Sequence, residues 1–85
     1  MQEFTVYIIH SQSTDRYYIG HTSNLQDRLK RHNKNRSKYT KGKGPWNLVE
    51  TLIFNSKKEA YQMELKLKRM KNSKKAIEYI KRIKA

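Results

Sequence analysis

Residues 16–33 read RYYIGHTSNLQDRLKRHN and join a strand pattern to a helix pattern. The segment Arg16 to Gly20 is aromatic and ends in glycine, which predicts a short β-strand. Ser23, with Gln26 three residues later, predicts a capping box at the start of a helix that runs to about Asn33. A strand followed directly by a helix therefore fixes the middle of the fold.

The flanking segments extend this order to six elements. The apolar, β-branched run at residues 4–9 predicts a buried strand that forms a hairpin with the aromatic strand. The patterns that follow predict a loop over residues 35–44, a strand over 46–54, a helix over 57–71 begun by a second capping box at Ser56, and a helix from a cap at Ser73 to about Lys84. The expected fold class is α+β, with the order β-β-α-β-α-α in a single domain over residues 1–85.

Positive charge is concentrated in two segments of the chain. The net charge is +13. Residues 30–44 hold seven basic groups and no acid, and residues 57–85 hold eleven basic groups against three acids. Such an excess indicates a polyanionic partner, most commonly nucleic acid. The alternative is a lysine-rich surface that only contacts solvent.

Several classes of protein are excluded or disfavoured by composition. The chain has no cysteine, which excludes disulfides, thiolate zinc sites and a cysteine nucleophile. No apolar run approaches 18 residues, so we expect no membrane span. The first residues carry no basic segment before an apolar one, so we expect no signal peptide and a cytoplasmic protein.

The first helix carries polar residues on its apolar stripe. Leu25, Arg28, Leu29 and His32 follow the i, i+3, i+4, i+7 spacing of one helix face. A charged group on an inward stripe is costly unless it is paired or lines a cleft. Arg28 and His32 are therefore candidate site residues, although a rim arginine with its head group in water would show the same spacing.

The second helix repeats this pattern with a negative charge. Ala60, Met63, Glu64 and Leu67 share one stripe, with Glu64 inside it. The alternative for Glu64 is an ordinary i, i+4 pair with Lys68. The sequence offers no cluster that would supply the three or four ligands of a zinc site, whereas Mg²⁺ commonly uses one or two carboxylates with water and phosphate. A lone carboxylate near an arginine and tyrosines therefore fits metal-assisted phosphodiester cleavage.

These residues occur in an order that resembles the GIY-YIG nuclease superfamily, in its small stand-alone bacterial branch. Thr5-Val6-Tyr7 stands where Gly-Ile-Tyr is usual, and Tyr18-Ile19-Gly20 is intact. The segment from Thr22 to Asn33 follows at the family's spacing. The remaining matches are Lys38-Tyr39-Thr40, Pro45-Trp46 and Glu59-Ala60 leading to Glu64.

The resemblance implies a fold, an activity and residue roles. The fold is a small three-stranded antiparallel sheet flanked by helices, and the activity is metal-dependent hydrolysis of DNA, in repair or recombination. Arg28 would hold the scissile phosphate and Glu64 would be the single protein ligand of Mg²⁺ or Mn²⁺. Tyr7 and Tyr18 would position the attacking water, one of them acting as its base, and His32 would assist as a base or by orienting a tyrosine.

DNA is the expected partner, with targeting by DNA structure or by a protein partner. The basic side chains expected to grip its phosphates are Lys30, Arg31, Lys34, Arg36, Lys38, Lys41, Lys43 and Lys68. The degenerate first motif leaves a non-catalytic nucleic-acid-binding protein of the same fold as the alternative. His21 stands where some members have lysine, and Asn72 is the nearest match to an asparagine that some members use.

Overall fold

The computed structural model describes residues 2–34 and 40–85 of the chain. Its elements follow the predicted order: β1 (Phe4–Ser11), β2 (Tyr17–Thr22), α1 (Leu25–Asn33), β3 (Trp46–Phe54), α2 (Lys57–Arg69) and α3 (Ser73–Lys84). The α+β fold class is therefore confirmed. Two of the basic residues expected to bind DNA, Arg36 and Lys38, lie outside the described residues.

The three strands form an antiparallel sheet in the order β2-β1-β3. Tyr7 of the central strand faces Gly20 on one side and Thr51 on the other. The pairing with β3 changes register between Ile8 and Ile9. Both outer strands are edge strands of this sheet, and the second tyrosine motif lies on one of them.

Helices cover both faces of β1, which explains its continuous apolar sequence. Val6 and Ile8 face α2 and α3, where they pack with the buried set Ala60, Leu67, Ala76 and Ile80. Tyr7 and Ile9 face the other way and pack with Trp46 and the two leucines of α1, Leu25 and Leu29. The sheet thus separates a larger apolar core from a smaller, more polar one.

Two of the predicted helix caps are wrong by one residue. Asn24, not Ser23, caps α1 by accepting from the Asp27 N–H at 3.1 Å. Asn72, not Ser73, caps α3 by accepting from the Lys75 N–H at 3.1 Å. In each case the capping residue is the extended one immediately before the first helical residue.

The predicted cap of α2 is confirmed. Ser56 accepts from the Glu59 N–H at 3.2 Å and its hydroxyl donates to the Glu59 carboxylate at 3.1 Å. The helix ends at Arg69 rather than Lys71, because Lys71 has the left-handed φ of 52° that terminates a helix. Among the helices of the described residues, none is long and apolar enough to cross a membrane.

Candidate active site

Tyr7 of β1 and Gly20 of β2 are directly paired across the two strands. A Cβ atom on Gly20 would lie 2.6 Å from the Tyr7 hydroxyl oxygen and 3.1 Å from the Tyr18 ring. Contacts this short cannot be accommodated, so only glycine leaves room for the Tyr7 side chain here. The glycine of the second motif thus allows Tyr7 to lie flat across β2, beside Tyr18.

Tyr7 belongs to a buried chain of hydrogen bonds. A bond of 2.9 Å joins its hydroxyl to His32 Nε2, and a bond of 2.7 Å joins His32 Nδ1 to the Thr40 hydroxyl. All three side chains are fully buried. The Trp46 indole N–H donates to the Thr40 backbone oxygen at 3.2 Å, which fixes the far end of the chain.

The surroundings keep the hydrogen-bonded side chains of Tyr7 and His32 uncharged. Burial raises the pKa of Tyr7 far above its ordinary value, and Tyr18 adds to the rise. Burial also lowers the pKa of His32, and the positive charge of Arg28 lowers it further. At neutral pH the pair is therefore a phenol and a neutral imidazole, whose ring nitrogens both engage hydroxyl groups.

Arg28 lies beside the hydroxyl of Tyr7. Its positive charge opposes the rise in the Tyr7 pKa, while Glu64 adds to that rise. Arg28 is partly exposed and lines a cavity of about 150 Å³ together with His21 and Lys57. The arginine therefore touches the buried chain on one side and an opening to solvent on the other.

Glu64 lies between two basic side chains. Its Oε1 accepts from His21 Nδ1 at 2.7 Å, and its Oε2 accepts from Lys68 Nζ at 2.7 Å. The carboxylate side chain is 12% exposed and the lysine 46% exposed. The i, i+4 pair with Lys68 is therefore present. Glu64 also accepts a hydrogen bond from His21, which the sequence pattern did not indicate.

Contacts and one shared cavity arrange the site residues in a ring around the end of β2. Tyr7 and Tyr18 have ring centroids 6.3 Å apart, and the Lys68 ammonium lies 6.0 Å from the centre of the Tyr18 ring. Lys68 leads to Glu64 and His21, and His21 shares the small cavity with Arg28. The five predicted site residues, Tyr7, Tyr18, Arg28, His32 and Glu64, are thus brought together.

The basic residues predicted to bind DNA lie mostly at the surface. Lys30, Arg31, Lys34, Lys41 and Lys68 are exposed, and Lys43 is half-buried. Arg31 forms an ion pair with Asp27 at 3.1 Å. These residues lie on α1 or directly after it, in the segment before β3, and on α2.

Sequence reasoning assigned no role to two residues of this site, His21 and Thr40. His21 follows the second motif directly on β2, and its side chain lies on the face opposite Gly20, toward α2. Thr40 reaches His32 from a segment with no periodic pattern. Neither contact leaves a signal in local spacing, because the partners are 43 and 8 residues apart.

A comparison with known proteins identifies the family. A family model described as the GIY-YIG catalytic domain matches residues 3–77. The chain belongs to the GIY-YIG family.

Its relatives are small proteins of similar length. The UPF0213 protein BH0048 of Halalkalibacterium halodurans is 38% identical over 71 residues, which cover 82% of this chain and 74% of the relative. The UPF0213 protein VNG_2274C of Halobacterium salinarum is also 38% identical over 71 residues, covering 82% and 91%. The solution NMR structure of BH0048 from Bacillus halodurans has a TM-score of 0.53 at 36% identity, over 86% of this chain and 78% of that one.

The donor set of this GIY-YIG site fits a hard cation held by one carboxylate. Within residues 2–34 and 40–85, no group of three or more His, Cys, Asp or Glu side chains is placed to hold a metal. Glu64 already has a cationic group, the Lys68 ammonium, at one oxygen. A Mg²⁺ or Mn²⁺ ion that takes its other ligands from water and phosphate needs only one protein carboxylate, which Glu64 could supply.

Proposed function

We propose that this GIY-YIG protein is a metal-dependent endonuclease that hydrolyses DNA phosphodiester bonds. One observation carries the proposal: Arg28 of α1 lines the same cavity as His21, the residue that donates a hydrogen bond of 2.7 Å to the Glu64 carboxylate of α2. A phosphate needs a cation on its oxygens, and water attack needs a polar group beside it. Both kinds of group meet at the end of β2.

Arg28 is the group that would hold the scissile phosphate. Its guanidinium presents a planar set of donors that matches phosphate oxygens. The side chain lines an open cavity and is not engaged in an ion pair with any described residue. Because its other side rests against Tyr7, a phosphate bound to Arg28 would lie next to the tyrosine pair.

Glu64 would be the single protein ligand of Mg²⁺ or Mn²⁺. The bound ion would neutralise negative charge on the phosphate and assist ionisation of water. Lys68 would leave Glu64 when the ion binds, since its ammonium lies on a half-exposed stem that can swing into solvent. His21 would keep the other oxygen in place through its hydrogen bond.

Tyr18 is the candidate that can reach a water molecule. Tyr7 and His32 are fully buried, whereas Tyr18 is partly exposed. We therefore assign contact with the attacking water to Tyr18. Tyr7 and His32 would support Tyr18 from the buried side. Their neutral, hydrogen-bonded side chains would fix the position of the Tyr18 ring and keep water out of this side of the site.

The choice of DNA and of its cleavage site rests on charge and on family membership. Lysine and arginine side chains around the site contact phosphates without reading base sequence. We therefore propose weak sequence specificity, with DNA structure or a protein partner selecting the site. A role in DNA repair or recombination rests on the family resemblance alone.

Nicking of supercoiled plasmid tests the proposal. Wild-type protein should nick with Mg²⁺ or Mn²⁺ and stop when EDTA is added. Arg28→Ala should lose about 10²–10³-fold in rate, while Arg16→Ala, an exposed arginine before β2 that belongs to neither the site nor the DNA-binding set, should retain most activity. Equal rates for wild type and Arg28→Ala would identify a contaminating nuclease, and an inactive wild type would reject the catalytic proposal.

A non-catalytic nucleic-acid-binding protein is the second candidate. It is favoured by the state of Glu64, whose two oxygens both already accept hydrogen bonds from basic side chains. Binding of Mn²⁺, followed by electron paramagnetic resonance in wild type and Glu64→Gln, separates the two candidates. Mn²⁺ binding that is lost in Glu64→Gln supports the nuclease, and no binding in either protein supports the alternative.

A further inference from the structure

A cavity of about 250 Å³ lies along the outer edge of β2, next to Tyr18. Its walls come from three elements. The strand contributes Tyr17, Tyr18 and Ile19, the end of α2 contributes Leu67 and Lys68, and the turn into α3 contributes Lys71, Asn72 and Ser73. It is separate from the smaller cavity that Arg28 lines.

The floor of this cavity is aromatic and apolar. Tyr17 has its ring held against His10 at a centroid distance of 4.6 Å, which fixes its orientation. Ile19 and Leu67 belong to the larger core, so they are rigid parts of the wall. A preformed aromatic and apolar surface of this kind suits the flat face of a nucleobase.

The rim of the cavity is cationic. Lys68 and Lys71 are both exposed, and Lys71 makes no ion pair with a described residue. The left-handed backbone of Lys71 turns the chain sharply at the end of α2 and places its side chain at the mouth. An apolar floor with lysines at the edge suits a base that enters with its phosphate outside.

The strand edge adds hydrogen-bonding groups. Because β2 is an edge strand of the three-stranded sheet, its backbone has N–H and C=O groups that face outward without a strand partner. In a duplex the base edges and faces are occupied by pairing and stacking, so only an unpaired base could use this cavity.

We propose that this cavity binds an unpaired nucleobase of the DNA strand, one position away from the phosphate held by Arg28. The proposal deepens the proposed function, since it rests on DNA binding at that site, and it names the substrate class: DNA with single-stranded, frayed or branched segments. Tyr18 is shared between the cavity and the ring of site residues, so a base seated here would bring its neighbouring phosphate to the site.

Binding without cleavage tests the cavity. Fluorescence anisotropy in EDTA would compare a labelled single-stranded oligothymidine with a strand of equal phosphate count made of abasic spacers. Wild type should bind the base-containing strand about tenfold more tightly, a difference typical of base stacking on an aromatic side chain. Equal affinity for the two strands would overturn the proposal, because phosphate contacts alone would then account for binding.

Matched variants locate the effect. Tyr17→Leu should abolish the preference for bases, while Tyr17→Phe, which keeps the ring, should retain it. Should Tyr17→Leu fail to fold, Lys71→Asn serves instead, since asparagine tolerates the left-handed backbone. It should weaken binding of the base-containing strand about threefold, with Lys58→Asn, an exposed lysine at the far end of α2, close to wild type. Unchanged binding in Lys71→Asn would overturn the location.

The two proposals fail in distinguishable ways. If the wild type prefers bases over spacers but does not nick plasmid, the cavity proposal stands and the nuclease proposal fails. If it nicks plasmid but binds both strands equally, the nuclease proposal stands and the cavity proposal fails.

Discussion

α1 and α2 each bury one polar side chain on an apolar stripe, His32 and Glu64, but the two are accommodated in opposite ways. His32 of α1 is fully buried and held between the hydroxyl groups of Tyr7 and Thr40. Glu64 of α2 is also buried, but it lies between His21 and the half-exposed Lys68, both of which can carry positive charge. The first arrangement is neutral and enclosed, and the second is charged and opens to solvent.

This difference predicts which of the two residues stabilises the fold and which takes part in the reaction. A buried polar group that loses its partner costs free energy because water cannot replace the bond. The half-exposed Lys68 can leave the buried Glu64 carboxylate for water when another cation takes its place. His32 should therefore matter first for stability, and Glu64 first for activity.

The largest expected effect is on cleavage by Glu64→Gln. The amide keeps the size of the side chain but removes the negative charge, so the nicking rate should fall about 10²–10³-fold. The free energy of unfolding should fall by about 1–2 kcal/mol, because the amide oxygen can still accept from His21 and the half-exposed Lys68 can turn to solvent. Plasmid nicking and urea unfolding measure the two quantities on the same sample.

A matched control is Glu59→Gln, on an exposed acid in the first turn of the same helix. It should retain most of the nicking activity. A Glu64→Gln protein that nicks as fast as wild type would show that the charge between His21 and Lys68 has no catalytic role, and the contrast between the two helices would disappear.

The second prediction concerns stability and His32→Leu. Leucine leaves the hydroxyls of Tyr7 and Thr40 buried without their shared partner, and each such group costs about 1–3 kcal/mol. We expect the free energy of unfolding to fall by about 2–4 kcal/mol. Urea unfolding followed by circular dichroism measures this loss.

Arg31→Leu, on the exposed side of α1, provides the comparison, and its free energy of unfolding should stay within about 0.5 kcal/mol of wild type. If His32→Leu were as stable as wild type, the hydrogen-bonded chain would not stabilise the fold, and the small core would be held by apolar contacts alone.

The same contrast explains how far the sequence predicted the structure. Stripe positions follow from helix periodicity, so Arg28, His32 and Glu64 were identified as inward-facing residues, and the structure has them half-buried or buried. Element order was also recovered, because each strand and helix has a clear local pattern. Local patterns are where sequence reasoning is strongest.

The partners of those residues could not be predicted in the same way. Thr40 and His21 reach the site through folding of distant segments, and no spacing rule connects them to His32 or Glu64. The two wrong caps have a related cause. At each helix start a serine and an asparagine are adjacent, and the backbone conformation, which the sequence does not specify, decides which one precedes the first helical residue.

The third prediction is a pH dependence of stability that comes from His32. Burial lowers its pKa in the folded protein below its value in the unfolded chain. The unfolded state therefore binds a proton that the folded state does not, and stability should fall as pH drops below about 6.5. Above that pH the contribution of His32 to stability is fully present.

The measurement is urea unfolding of wild type and His32→Gln over a range of pH. Subtracting the two curves cancels the other titrating groups, and the difference should shrink as pH falls below about 6.5. Parallel curves would mean that His32 titrates equally in both states, and the neutral character assigned to the chain around Tyr7 would then be wrong.

The smallest expected effect tests the start of α1, the helix that carries His32. Asn24→Ala removes the acceptor for the Asp27 N–H and should lower the free energy of unfolding by about 1 kcal/mol. Ser23→Ala, one residue earlier and also exposed, should change it by less than about 0.5 kcal/mol. The reverse order of the two losses would support Ser23 as the cap and would extend α1 by one residue at its N-terminus. His32 would keep its position, because the added residue precedes the first turn, so this test concerns the start of the helix and not the hydrogen bond to Tyr7.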